Sequence, residues 1–208
     1  MIAHGLVMHA SYLVLSCTII SAGGWVWETC YCSVVERRLA RRGMLFGPSC
    51  PVYGTCVIVV WFALGGVRNT AALFALGFVL STALEYGAGA LLERRFGRRW
   101  WDYSMFSLNF RGLVCPQASC VFGVFAVINV KLLQPTILGG LATLDHGAVL
   151  AAAGLVCAAY TLDLFATVLV LDGWRPRRPR AARAPRPSRA ARAPRPSRLS
   201  RALRLPLA

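Results

Sequence analysis

Glu28 and Glu85 each sit inside an apolar run, eight residues ahead of the same charged block. The first stretch reads WETCYCSVVERRLARRG from Trp27 and the second LEYGAGALLERRFGRRW from Leu84, so Glu-Arg-Arg, two spacers and Arg-Arg recur at an offset of 57. In a helix, eight residues place each lone glutamate about 12 Å from its block. Asp163 precedes Asp172 by nine residues, about 13 Å by the same rise, and stands at a matching depth. An ionised carboxylate in hydrocarbon costs at least ~2.5 kcal/mol on insertion scales. Each acid must therefore be protonated, be reached by interfacial arginines, or line a wet cavity. The chemistry open to such groups is a proton or cation relay, a site for a cationic substrate, or an acid/base pair of an enzyme acting on lipids or envelope precursors. The plainer alternative is interhelical hydrogen bonding that fastens two equivalent helices, as in a non-catalytic scaffold.

The elements that must carry these acids are membrane helices. Of 208 residues, 57% are hydrophobic and only 15% charged, and the mean hydropathy is +0.56, outside the range of an ordinary soluble domain. Apolar windows of the length that crosses a bilayer fall at about 8–33, 50–67, 71–92, 113–132 and 147–171. The expected fold class is all-α, a polytopic bundle of five spans over residues 1–172. The second window is short and opens GPSCPVYG from Gly47. Its two prolines and two glycines disfavour a regular helical start, so a bent or re-entrant entry is expected there. The first and third spans run in the same direction, which makes the duplicated motif a candidate parallel internal repeat.

Basic residues set the expected orientation. Arg37, Arg38, Arg41 and Arg42 follow the first span, and Arg94, Arg95, Arg98, Arg99 and Arg111 follow the third. Twelve more arginines follow the fifth, while only Arg68 and Lys131 fall on the opposite side. The positive-inside rule then predicts an outside N-terminus and a cytoplasmic C-terminus. No basic residue precedes the first apolar run and no small-residue cleavage site follows it, so the first span is expected to be retained. Trp101, Asp102, Tyr103 and Asn109 lie in WWDYSMFSLNFRG from Trp100, a composition suited to the cytoplasmic headgroup level.

The net charge of +15 belongs largely to residues 173–208, whose arginines leave +3 on the rest. This tail repeats AARAPRPSR from Ala181 and Ala190, and its prolines and lack of buriable side chains predict disorder. Such a tail suits anionic lipid rather than a specific nucleic acid. The eight cysteines fall mostly in or beside apolar runs, where cysteine acts as a small hydrophobe, and no two-pair zinc spacing occurs. Lys131 is the single lysine, so no phosphate-binding Gly-x-x-x-x-Gly-Lys loop exists. Serine-hydrolase elbows and His-Glu-x-x-His are absent as well. Neither a metal nor another cofactor is implied.

Four motifs in order carry a family resemblance: GWVWE from Gly24, RRGMLFGPSCPVYG from Arg41, LEYGAGALLERRFG from Leu84 and WWDYSMFSLNFRG from Trp100. Over residues 20 to 135 the chain resembles the ABC-transporter permeases of CmpB type, small multi-pass proteins of the bacterial cytoplasmic membrane. Met105 and Leu113 stand where that family pattern carries an acid and a basic residue. The resemblance implies a permease component of a transport system, with nucleotide hydrolysis on a separate ATPase subunit. Five spans are few for a complete pathway, so a homo- or hetero-oligomer is expected.

Overall fold

The computed structural model describes residues 2–173, with side chains from Gly5 onward except Val35. The expected disordered tail lies outside the described residues. Among them the regular structure is helical: α1 (Ile2–Glu36), α2 (Pro51–Leu64), α3 (Thr70–Phe96), α4 (Pro116–Ile128), α5 (Gln134–Ala142) and α6 (His146–Gly173). One isolated bridge between Phe110 and Val114 is the sole extended pairing described. Four helical stretches are long and apolar enough to cross a membrane: Gly5–Val34, Thr70–Phe96, Pro116–Ala142 and His146–Gly173. Over the described residues the chain is thus an all-α membrane protein.

The second apolar window yields only the 14 residues of α2, about 21 Å of helix. Its position explains the shortfall. The Cys50 amide donates to the Ser21 carbonyl at 3.0 Å, and Gly54 lies against Cys17, so α2 runs antiparallel to α1 from a level about 22 Å short of Glu36. Residues 37–50 descend to that level without regular structure. Irregular backbone at such depth survives only where protein or a cavity surrounds it. Here the Trp25 indole N–H satisfies the Arg42 carbonyl at 2.8 Å, and Asp163 receives the amides of Phe46 and Gly47.

The connection from α3 to α4 also dips into the bundle. After α3 ends on left-handed Gly97, residues 98–115 descend irregularly, and α4 begins at Pro116 beside α3. The Thr82 hydroxyl donates to Ser119 at 2.7 Å, and Gly123 faces Phe74, which makes α4 antiparallel to α3. Within this descent the Trp101 indole N–H reaches the Leu113 carbonyl at 2.9 Å. Gly112 takes a positive φ of 69° where a Cβ would stand 2.5 Å from Asp102 Oδ1.

The third of these stretches, Pro116–Ala142, runs past the expected window of 113–132 because α4 passes through a π turn, Asn129–Leu133, into α5. The Gln134 amide bonds the Asn129 carbonyl, five residues back. The turn immediately precedes Pro135, which has no amide to give an α-helical ladder, so the local widening has an identifiable cause. Buried Gln134 accepts the Ser16 hydroxyl at 2.8 Å and ties α5 to α1.

At the end remote from the arginine blocks, Val60, Leu64, Leu73, Ala126 and Val130 form the buried core. Lys131 at this end donates to the Arg68 carbonyl and to the Thr70 hydroxyl. At the other end α6 meets α3 through Arg95 and Asp172. The two expected charge groups therefore occupy opposite ends of the bundle.

Candidate functional site

A cavity of about 490 Å³ lies among α1, the two descending segments, α2, α3 and α4, and both Glu28 and Glu85 line it. Its volume falls in the range of small-molecule sites. Cys50 at the start of α2, Tyr53 and Cys56 farther along it, Tyr103 from the second descent and Asn129 from the π turn add to the polar part of the wall. Phe122, Phe125, Val57 and Leu92 supply apolar surface, while Arg41, Arg42, Arg98 and Arg99 line the arginine-rich end. Val60 and Ala126 belong both to the lining and to the buried core, so packed side chains close the far end.

The two glutamates are held differently. Glu85 is 7% exposed, and its Oε1 accepts the Tyr103 hydroxyl at 2.9 Å. Its Oε2 is buried without a partner. Glu28 is less buried, and its Oε2 accepts the Cys50 thiol at 3.4 Å. A Cys-Pro pair opens the helix after each descent: Cys50 precedes Pro51 at the head of α2, and Cys115 precedes Pro116 at the head of α4. Proline suits a first helical turn, where its missing amide proton would have no acceptor. The two cysteines are not interchangeable, because Cys115 Sγ caps its own helix by accepting from the Ala118 amide at 3.5 Å, whereas Cys50 gives its thiol to Glu28.

Asp163 is not part of this site. Its Oδ1 accepts from the Phe46 amide at 2.8 Å and its Oδ2 from the Gly47 amide at 2.6 Å, and Thr167 donates to Oδ1 at 3.1 Å. Those bonds anchor the first descent to α6. Beside them Ser49 and Tyr160 share a hydrogen bond at 2.5 Å.

The arginine blocks divide by role. Arg42 bonds Glu36 at 3.2 Å and Arg99 bonds Glu93 at 2.8 Å, while Arg41 donates to the Phe46 carbonyl. Arg38 pairs with Glu36 and Arg95 with Asp172. Arg37 adopts a positive φ of 50° where α1 ends, and Arg94 is exposed. In the second descent Asp102 accepts the Ser104 amide at 2.9 Å. That bond, with the Ser104 side chain and then Arg99, holds Asp102 below the usual carboxylate range. Asn109 accepts the Gly112 amide at 2.8 Å and donates to Phe106, which shapes the loop rather than the cavity. Trp101 packs its ring on Gly89 and lines the cavity.

A family model described as putative ABC-transporter type IV, ABC_trans_CmpB, matches residues 15–168. The chain belongs to this family. The matched region covers both glutamates, both descending segments and nearly all of α6, so the cavity is built wholly from family sequence. No curated protein and no solved structure matches the chain. Sequence reasoning did not anticipate Cys50, Tyr53 or Asn129 as site residues. The Cys-Pro pair at 50–51 and again at 115–116 was the available signal, since a proline that opens a helix marks where a descending segment turns back.

Proposed function

We propose that the chain is the membrane-embedded permease subunit of a transport system, with ATP hydrolysis supplied by a separate ATPase. The observation that carries this reading is the cavity itself: two carboxylates recessed between membrane helices, reachable from the arginine-rich end and closed by a packed core at the other. Family membership supports the same reading, and a sequence without a phosphate-binding loop supports hydrolysis on a separate subunit. The arginine-rich end faces the cytoplasm and the N-terminus lies outside, by the positive-inside rule. The cavity is then the inward-facing state of a substrate path.

Two glutamate-bearing long helices, each followed by an irregular descent and a Cys-Pro helix start, support an internal parallel repeat with the cavity between its halves. Glu28 and Glu85 are the substrate-facing pair, and Asp163 fixes the first descent. One chain supplies few spans for alternating access, so the transporter is an oligomer in the cytoplasmic membrane of a bacterium. The tail adds anionic-lipid attraction at that face.

Purification of the chain from native membranes in mild detergent tests the assembly. Co-elution of an ATPase, together with a particle mass above that of one chain, is expected. A monomer without an ATPase, combined with no ATP-driven flux in reconstituted vesicles, would overturn the permease reading.

A further inference from the structure

Two acceptors in the cavity wall have no donor. Asn129 is 1% exposed, and its Nδ2 donates to the Val57 carbonyl at 3.2 Å, which fixes the amide orientation because the reverse would set two oxygens together. Its Oδ1 is left buried and unpartnered, as is Glu85 Oε2. Each such acceptor costs roughly 1–3 kcal/mol, and both residues line the same cavity. A carboxylate turns cheaply about its last torsion, so Oε2 can be presented to a ligand there.

The unpartnered Glu85 oxygen calls for an N–H donor, and the second carboxylate, Glu28, favours one that carries positive charge; Arg42 Nε, buried without an acceptor, stands apart at the arginine-rich end. Arg42 and Arg99 at the arginine-rich end are bonded to Glu36 and Glu93, which offsets their repulsion of an incoming cation. A bare metal ion fits poorly: no group of three or more His, Cys, Asp or Glu among the described residues could hold one. The volume and the apolar wall of Phe122, Phe125 and Val57 call for a body as well as a charge, and aromatic faces add attraction for an ammonium.

We propose that this cavity binds a protonated primary amine carried on an apolar body, with the ammonium donating to Glu85 and Glu28 supplying the second negative charge. The inference rests on reading the cavity as the substrate site and names the class of substrate. The amine could reach the cavity as a free organic cation or as the headgroup of phosphatidylethanolamine, which share this chemistry.

The test uses the full chain in nanodiscs of phosphatidylcholine and phosphatidylglycerol, titrated with dansylcadaverine, a fluorescent aromatic primary amine, and with its neutral N-acetyl derivative. Saturable binding of the amine is expected, with the acetylated probe at least tenfold weaker. Glu85→Gln should weaken the amine tenfold or more and Glu28→Gln severalfold, in protein that still elutes as a folded particle. Equal affinity for the two probes, no saturable binding, or full affinity in folded E85Q would overturn the proposal. The probe comparison on the unaltered chain decides the matter even if a variant fails to fold.

Nanodiscs with phosphatidylethanolamine assign the source. A raised apparent Kd for the probe identifies the lipid headgroup as the occupant, an unchanged Kd identifies a free amine, and both support an amine site. Selective binding in a chain that moves nothing across vesicles would remove the permease reading alone. Flux without amine selectivity would remove this proposal alone.

Discussion

The Tyr103 hydroxyl donates to Glu85 Oε1 at 2.9 Å, so a residue of the irregular second descent holds a carboxylate of the α3 helix in the cavity wall. The bond places Tyr103 at Glu85's level, well below the headgroup position its neighbours in sequence suggested. It also makes the descent and the site a single unit.

Tyr103→Phe should therefore destabilise the protein. Loss of the donor leaves a buried carboxylate without any protein hydrogen bond, at roughly 1–3 kcal/mol. Thermal unfolding in detergent should show a lowered midpoint. Combining Tyr103→Phe with Glu85→Leu should recover part of the loss, because removal of both partners leaves nothing unpaired. A double variant that loses the sum of the two single effects would show that the pair is not coupled.

Gly54 sets how closely α2 approaches α1. A Cβ there would stand 2.3 Å from the Cys17 carbonyl oxygen and 2.3 Å from Ser21 Oγ, and the former is backbone that cannot swing aside. Gly54→Ala should cost on the order of 1–3 kcal/mol by overpacking. Gly139→Ala in α5 meets no atom within 4 Å and should be neutral or stabilising by up to ~1 kcal/mol through helix propensity. Expression level and thermal midpoint of the two variants check the contrast.

Asp163→Ala removes the acceptor of two loop amides. Hydrogen bonds to a charged group contribute about 1.5–3 kcal/mol, so the first descent should detach from α6. Hydrogen exchange should quicken at Phe46 and Gly47 while α3 and α4 remain protected. Unchanged exchange at those two amides would contradict the anchoring role.

Arg95 and Asp172 form a close bidentate pair, yet their side chains are 43% and 36% exposed. An exposed pair contributes about 0–1 kcal/mol. Arg95→Ala should leave the thermal midpoint nearly unchanged, and any difference from the unaltered chain should shrink in high salt.

The helical membrane class was legible because hydrophobic length alone decides it, and four stretches carry enough. The family was legible in four ordered motifs. The singling out of Glu28 and Glu85 came from their cost in hydrocarbon, and the structure brings both to one cavity. Asp163 carried the same signal of depth, but depth along an axis says nothing of which way a side chain faces, and α6 turns it to the loop amides.

The two descents were the hard part. Residues 37–46 and 98–112 read as interfacial connections because their arginines, and the tryptophans of the second, suit a headgroup layer, and a bent entry was expected only from Gly47. What draws them inward is long-range: Trp25 to Arg42, Asp163 to Phe46 and Gly47, Tyr103 to Glu85. Local composition does not encode bonds of that span. Asn129 was hidden for a similar reason, since the carbonyl its amide donates to, that of Val57, lies 72 residues away.

The central claim is that a wet cavity reaches the bilayer interior from the arginine-rich end. Cys56 lines that cavity, whereas Cys157 is exposed on the outer side of α6, where lipid would cover it. Two variants, each retaining one of these cysteines alone, can be treated in sealed vesicles of either orientation with a membrane-impermeant methanethiosulfonate, which reacts with thiolate in water. The account predicts that Cys56 is modified from the arginine-rich face only and that Cys157 stays unmodified from both. Cys56 silent from both faces, or modified only from the opposite face, would contradict it.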